Sequence, residues 1–313
     1  MAQVAGTYSS YDAKGIREDL VDFIYNVDPV ETPVLTMIPK TKASNTLHEW
    51  QTDTLAAAAQ NAVIEGDEST FSSPSATTRL TNYCQIAKKT ALVTGTLEAV
   101  NKAGRNKEMA YQLVKRGKEM KRDMEFDICA NNAKNVGTDT RARELAGLES
   151  WIVTNIDEAG DATVATGDGT DARSDGTQRV FKESQLKTAL AAAWDAGGNP
   201  DCVVVGSFNK QKISGFTGGA TRMDKAEDKK LYASIDVYVS DFGDLDIVPN
   251  RFSRSRSALI LQKDMWAVAF LRNMKTEELA KTGDAEKRQI ICEYTLEARN
   301  EKSSGAVYDL TTS

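Results

Sequence analysis

The stretch Arg105–Ala133, RNKEMAYQLVKRGKEMKRDMEFDICANNA, decides how the rest of the chain is read. It has no proline and one internal glycine, Gly117, among Glu, Lys, Arg, Met and Ala, all good helix formers. Met109, Leu113, Met120, Met124 and Ile128 recur at helical spacing and line one face. A helix over the whole stretch is roughly 43 Å long, well beyond the usual three or four turns. Asn101 or Asn106 stands where a cap would start it, and Asn131, Asn132 and Gly137 mark its end. Its other faces mix Lys115, Arg116, Lys118, Lys121 and Arg122 with Glu119, Asp123, Glu125 and Asp127. Such a helix, wetted on most sides and apolar along a narrow stripe, reads as a strut rather than the heart of an enzyme.

Before the strut lie two segments that gain little by packing on themselves. Residues 1–40 open with small and polar residues. A short amphipathic run follows with Ile16, Leu20, Phe23 and Ile24, and then NVDPVETPVLTMIPK. Pro29, Pro33 and Pro39 bar a regular helix or central strand there, so the segment reads as an extended arm carrying one small helix. Residues 41–95 read as a two-stranded excursion, one strand near Thr46–Leu55 and the other near Arg79–Val93. In the second strand Leu80, Cys84 and Ile86 alternate with polar residues. The connection between the strands far exceeds a hairpin loop, and a two-stranded ribbon is marginal in water, so it needs a partner surface.

After the strut the chain turns to mixed structure. Thr96–Ala103 is expected as a short helix ahead of the strut, and Leu145, Leu148, Trp151, Ile152 and Val153 as entry into a core. The Gly-, Asp- and Thr-rich residues 157–178 are expected as an exposed loop or short hairpin. Glu183–Ala196 reads as an amphipathic helix, DCVVVGS as a buried strand, and Asn209–Phe216 as another short helix. From Leu231 the chain is strand-rich, ending in KRQIICEYTLEAR with Ile290, Cys292, Tyr294 and Leu296 on one face. This order of elements predicts an α+β fold.

Composition and motifs argue against chemistry. Charged residues make up 27% and hydrophobic ones 41%, an ordinary globular mixture. The net charge of −6 gives no long-range attraction to nucleic acid or acidic membranes. No apolar run is long enough to span a bilayer, and the N-terminus lacks signal-peptide regions, so a soluble cytoplasmic protein is expected. The four cysteines are far apart and read as buried small hydrophobes. With His48 the single histidine, a catalytic triad has little to draw on, and a structural role is expected for it. Asp168, Asp171 and Asp175 lack the ligand order of a calcium loop, and neither TGDGTD nor TGGAT is a phosphate-binding motif. No catalytic, cofactor or metal site is therefore expected. Arm, ribbon and strut each expose surface that one chain cannot bury, and together they predict an assembly.

Arm, long two-stranded loop, long helix, α+β region and returning strands is the order of parts in tailed-phage major capsid proteins of the Hong Kong 97-type fold. EWQTDTL (49–55), EGD (65–67), NYCQIAKKTALVTGTLEAV (82–100), KRDMEFDICANN (121–132) and RARELAGLESWIVTN (141–155) resemble the major head proteins of a podovirus-like branch. The resemblance implies an N-terminal arm over 1–40 and an extended loop over 41–93 lying on an adjacent subunit. It implies a peripheral domain over 94–145 and 273–313 with spine helix 105–133, and an axial domain over 146–272. It also implies pentamers and hexamers in an icosahedral virion shell around double-stranded DNA, without sequence-specific binding or a membrane. Assembly in the host cytoplasm, a portal, a decoration protein and, since nothing scaffold-sized precedes the arm, a separate scaffolding protein are expected. An encapsulin-like nanocompartment is the alternative. Inter-subunit contacts are expected from Ile16, Leu20, Phe23, Pro29, Pro33, Trp50, Asp53, Phe71, Tyr83, Arg116 and Arg122.

Overall fold

A computed structural model describes residues 31–68, 71, 73–102, 106–216 and 236–313. In chain order the elements begin with α1 (Pro33–Met37), β1 (Lys40–Lys42), β2 (Leu47–Thr52), β3 (Thr78–Tyr83), β4 (Gln85–Thr94), α2 (Gly95–Ala99) and α3 (Glu108–Cys129). They continue with α4 (Leu148–Trp151), β5 (Ile156–Asp157), α5 (Glu183–Asp195), β6 (Cys202–Val205), α6 (Ser207–Ser214) and β7 (Val237–Ser240). The last five are β8 (Gly243–Pro249), β9 (Ala258–Leu261), β10 (Trp266–Glu278), β11 (Ala285–Ala298) and β12 (Gly305–Val307). The fold is α+β, with a four-stranded sheet in the order β1-β10-β11-β4, a six-stranded sheet in the order β5-β12-β9-β6-β8-β7, and the pair β2-β3.

The strut is α3, which packs its methionine stripe on the four-stranded sheet. Met120, Met124, Ile128 and Cys129 share a core with Ile290, Cys292, Tyr294 and Leu296 of β11, and the Cys292 Sγ lies 3.6 Å from the Met120 Sδ. The helix has 22 residues, shorter than the sequence suggested. Neither Asn101 nor Asn106 caps it, and Arg105 lies outside the described residues. The cap comes from α2 instead: the Glu98 carboxylate accepts the backbone N–H groups of Glu108 (3.0 Å) and Met109 (3.4 Å), where the helix dipole favours negative charge. Beyond Cys129, the Asn131 side chain bonds both ways with the Arg173 backbone, and Gly147 approaches so closely that a Cβ there would meet the Ala130 oxygen at 2.0 Å.

One buried carboxylate ties three parts of the fold to this helix. Glu125 is fully buried, and its oxygens accept the N–H groups of Val34 (2.9 Å) and Leu35 (2.8 Å) and the Asn250 side-chain amide (2.7 Å). It thereby serves as the N-terminal cap of α1, whose first residue, Pro33, has no N–H to satisfy. Burial pushes the Glu125 carboxyl above its ordinary range, against the opposing pull of the three hydrogen bonds.

The expected second ribbon strand is divided in two. From Thr78 to Tyr83 it pairs with β2, and from Gln85 to Thr94 it pairs with β11. The break is at Cys84, a buried residue whose N–H donates to the Thr46 oxygen. This one-residue irregularity inverts the inward face. Leu80 and Asn82 point inward before it, whereas Ala87, Ala91 and Val93 do so after it. Ile86, expected on the inner face, is consequently 48% exposed, and Leu92 is 63% exposed. The closing strand differs too: Ile290–Leu296 are buried without alternation, because α3 covers one face while Arg143 and Arg272 pair with Glu293 on the other.

In the six-stranded sheet, β6 reads as the continuous apolar run suggests. Cys202 and Val204 join the core around α3, and Val203 and Val205 join a second core with Leu186, Leu190 and Ile213 of α5 and α6. Helix α6 begins two residues earlier than expected. The Asp- and Gly-rich loop carries one isolated bridge, Thr163 to Ser174, and is far from free. Arg173, 4% exposed, bonds Asp309 (2.8 Å) and Asp175 (2.8 Å) and lies 4.2 Å from the Tyr308 ring centre. Arg254 joins Asp175 to buried Glu149. Burial opposes ionisation of Asp309, but the Arg173 hydrogen bonds hold its carboxyl below the ordinary range.

Replacing Glu125 by Ala leaves three buried donors without an acceptor, at about 1–3 kcal/mol each before relaxation. Denaturant unfolding of the unassembled protein is expected to show Glu125→Ala less stable by about 3 kcal/mol or more. Glu125→Gln, which keeps one acceptor, should fall between. A loss under about 1 kcal/mol for the Ala variant would deny the carboxylate this organising role.

Candidate assembly surfaces

The root of the long loop is fastened to its own chain. Strand β4 pairs β11 as far as Tyr294, and the next outward carbonyls, of Leu296 and Ala298, accept the Asn82 amide (2.8 Å) and the Trp50 indole N–H (2.6 Å). Two side chains thus complete an edge that no strand covers. The Trp50 ring sits 5.4 Å from that of Trp151, and the His48 Nε2 lies 3.0 Å from the Glu297 Oε2. Lys134 donates to the carbonyls of Thr81 (2.8 Å) and Asp168 (2.7 Å), joining the root to the Asp-rich loop. The His48 hydrogen bond, with help from Arg299 and against burial, depresses the Glu297 carboxyl to about 2.

Past Thr52 and Thr78 this support ends. Every described residue of 53–77 is exposed and none is in a helix or strand. Leu55 is 99% exposed, Val63 76%, Ile64 83% and Phe71 97%. Gly66, at φ +86°, allows a turn, closed by the Asp67 N–H on the Ile64 oxygen. The segment contains Asp53, Glu65, Asp67 and Glu68 and no Lys or Arg. It is an acidic loop with large apolar side chains directed into solvent.

The solvent face of α3 has the opposite sign. Its acidic residues are drawn away: Glu119 pairs with Arg116 (2.7 Å), Asp123 with Lys89 (2.6 Å), Glu125 is buried, and Asp127 accepts from Gln85 and Tyr294. Lys107, Lys115, Lys118 and Lys121 remain exposed, and among the described residues none of the four has an ion-pair partner. Val114 (62% exposed) and Phe126 (57% exposed) stand beside them. Where α1 meets the helix, Lys121 and Lys40 line one cleft of about 300 Å³ with Leu35, Met124, Phe270 and Met274.

The residues expected at subunit contacts distribute unevenly. Ile16, Leu20, Phe23 and Pro29 lie outside the described residues. Pro33 opens α1 and is half-buried, Trp50 and Tyr83 are half-buried at the loop root, and Asp53 and Phe71 are exposed on the loop. Arg116 is engaged by Glu119, and Arg122 lies 5.9 Å from the Phe252 ring centre, both within the chain. The expectation passed over Leu55, Val63 and Ile64, whose signal was an apolar content without strand or helix periodicity. It also passed over Trp194 and Phe242, half-exposed and stacked at 5.3 Å. Among the described residues no group of three or more His, Cys, Asp or Glu is placed to hold a metal ion. Burial pushes the Cys84 and Cys292 thiols up to about 11 and that of Cys202 to about 12, which makes them poor nucleophiles.

A family model described as SU10 major capsid protein matches residues 3–311. A major capsid protein of Escherichia phage Phieco32 is 25% identical over 338 residues, spanning 96% of this chain and 96% of that protein. The solved capsid asymmetric unit of cyanophage A-1(L) is similar with a TM-score of 0.68 and 12% identity, over 97% of this chain and 99% of that one. The solved phage G gp27 major capsid proteins with gp26 decoration proteins give a TM-score of 0.54 and 11% identity, over 99% and 100%. The fold is the Hong Kong 97-type capsid fold. The family match and the phage relative set aside the encapsulin-like alternative.

The Glu297 clamp has a signed pH dependence. Its carboxyl falls from an ordinary 4.5 to about 2 on folding, so its stabilisation is complete above pH 4.5 and is lost as pH falls toward 2. The full effect is about 3 kcal/mol. Between pH 4.5 and 2 the wild type should therefore lose more stability than Glu297→Gln, with a matching change in Trp50 fluorescence. Parallel stability profiles would show that Glu297 is not the clamp.

Proposed function

The chain belongs to the SU10 major capsid protein family and is a phage major capsid protein. From that premise we propose that it self-associates as pentamers and hexamers into an icosahedral head enclosing double-stranded DNA. The observation that carries this reading is the loop 53–77, where four large apolar side chains stand between 76% and 99% exposed with no cover among the described residues. Apolar surface of that kind is stabilised by removal from water, and a neighbouring copy is the surface that supplies it.

Within this reading, residues 1–40 act as the arm and 41–93 as the loop lying over an adjacent subunit. Residues 94–145 and 273–313 form the peripheral domain and 146–272 the axial domain. The four-stranded sheet against α3 and the six-stranded sheet support two such units, although the four-stranded sheet also takes in β4 from Gln85 and β10 from Trp266, and β12 crosses from the last segment into the second sheet. The role is structural, with the protein bringing no catalysis of its own. A separate scaffolding protein and a portal complete the assembly in the host cytoplasm. A decoration partner on the outer surface is part of the proposal, by analogy with the phage G capsid.

Expression with and without the neighbouring genes, followed by negative-stain microscopy and light scattering, tests the reading. Closed or aberrant shells are expected, and a monomer under both conditions would overturn it. Leu55→Asp with Phe71→Asp should leave the unassembled protein within about 0.5 kcal/mol of wild-type stability while preventing closed shells, because neither side chain is buried in the single chain. Normal shells from that variant would show that the loop does not need cover. Normal shells after deletion of residues 1–25 would likewise refute the arm assignment.

A further inference from the structure

The cleft of about 300 Å³ between α1, α3 and β10 has an apolar lining and a basic rim. Leu35 and Met124 are its buried parts, and Phe270 and Met274 are half-exposed in it. Met274 falls in the register shift between Arg272 and Lys275, which takes it out of the regular alternation of β10. Lys40 and Lys121 are both exposed at the cleft, and among the described residues neither has an ion-pair partner. The cleft also lies beside the start of the described chain. Leu35 belongs to α1, whose first N–H groups are held by Glu125, and thirty residues precede Glu31.

Residues 16–24, IREDLVDFI, lie outside the described residues, and their sequence matches the cleft in two ways. Ile16, Leu20, Phe23 and Ile24 stand at i, i+4, i+7 and i+8, the anchor spacing of an amphipathic helix laid in an apolar groove. Glu18, Asp19 and Asp22 outweigh Arg17, so the segment is net negative where the cleft is positive. We propose that this cleft is the docking groove for residues 16–24 of the same chain. The proposal goes beyond the shell-subunit reading, since it needs no second copy. The nine residues from Tyr25 to Pro33 reach up to about 30 Å, whereas α1 is only about 8 Å long, so the tether spans the distance with slack. A short tether sets an effective concentration on the order of 1 mM, so an intrinsic dissociation constant of about 0.1 mM gives about ten docked chains for each free one. A neighbouring copy in dilute solution lacks that advantage. Leu20 and Phe23 are removed from water against the apolar lining, while Asp19 and Asp22 meet the lysines and fix direction. A phosphate or nucleic acid would use the two lysines and leave Phe270 and Met274 uncovered.

The test is hydrogen exchange, read by mass spectrometry, on the full-length chain kept dilute and unassembled. Residues 16–24 are compared in the wild type, in Met274→Asp, and in Lys40→Glu combined with Lys121→Glu. Both lysines are exposed, so their reversal should leave circular dichroism unchanged. Protection of residues 16–24 should fall about tenfold in each variant. Adding Asp19→Lys and Asp22→Lys to the lysine reversal should recover most of it. In an equal mixture of unlabelled and nitrogen-15-labelled wild-type chains, a zero-length carbodiimide should join Asp19 or Asp22 to Lys40 or Lys121 within chains of one label. Wild-type amides at 16–24 that exchange as in an unfolded chain would overturn the proposal. So would protection that neither cleft variant lowers. Cross-links between an unlabelled and a labelled chain would give the groove to the arm of a second copy and equally refute docking within the chain.

Discussion

The Glu125 carboxylate is the interaction on which the described fold turns. A charge-bearing group removed from water costs several kcal/mol unless its oxygens are met by donors. Here three donors from three places meet it: two backbone N–H groups at the start of α1 and the amide of Asn250 just past β8. Helix α3 thus holds the segment leading into β1 and the end of a strand of the other sheet at one point. That segment then sets β1 beside β10, with Lys40 opposite Val268, so the edge of the four-stranded sheet inherits its position from the same carboxylate.

At the opposite edge the governing fact is where β4 stops. It leaves β11 after Tyr294, and the carbonyls beyond are taken by Asn82 and Trp50 rather than by a strand. The loop root is therefore rigid for six residue pairs and unsupported afterwards. In the proposed role, a paired root would aim the loop, and a tip without intrachain support would let the same chain meet neighbours at different angles. The Asp-rich loop illustrates the contrasting solution. Arg173, Asp309, Arg254, Glu149 and Asp175 pair in and around a buried site, which gives little net stability but fixes one arrangement, since any unpaired member would be costly.

What unites loop tip and lysine face is that neither is optimal in a single chain. Leucine, valine, isoleucine and phenylalanine are exposed on one surface and like-charged lysines on another, and under the proposed shell-subunit role both would raise the free energy of the free subunit relative to the assembled one. Under that role stability and assembly are linked by mass action, so the subunit's stability would depend on its concentration and on what it is assembled with.

By itself the sequence determined the parts and their order. The methionine stripe of the strut, the prolines of the arm, the apolar run of β6 and the scarcity of histidine are local signals, read from periodicity and composition. The quoted blocks carried the capsid resemblance. Tertiary structure alone decided how those parts terminate and which side they show. Glu98 caps a helix ten residues away in sequence, Cys84 inverts the face of a strand that looks continuous, and Asn131 pairs with a loop that looks free. Charge patterning along α3 mixes both signs, yet folding withdraws the acids into contacts with Lys89, Arg116, Tyr294 and the α1 backbone and leaves the lysines outside. Each of those outcomes depends on partners distant in sequence. Periodicity records which side of an element is apolar, whereas the pairing of a charge depends on what the rest of the chain brings within a few ångströms of it.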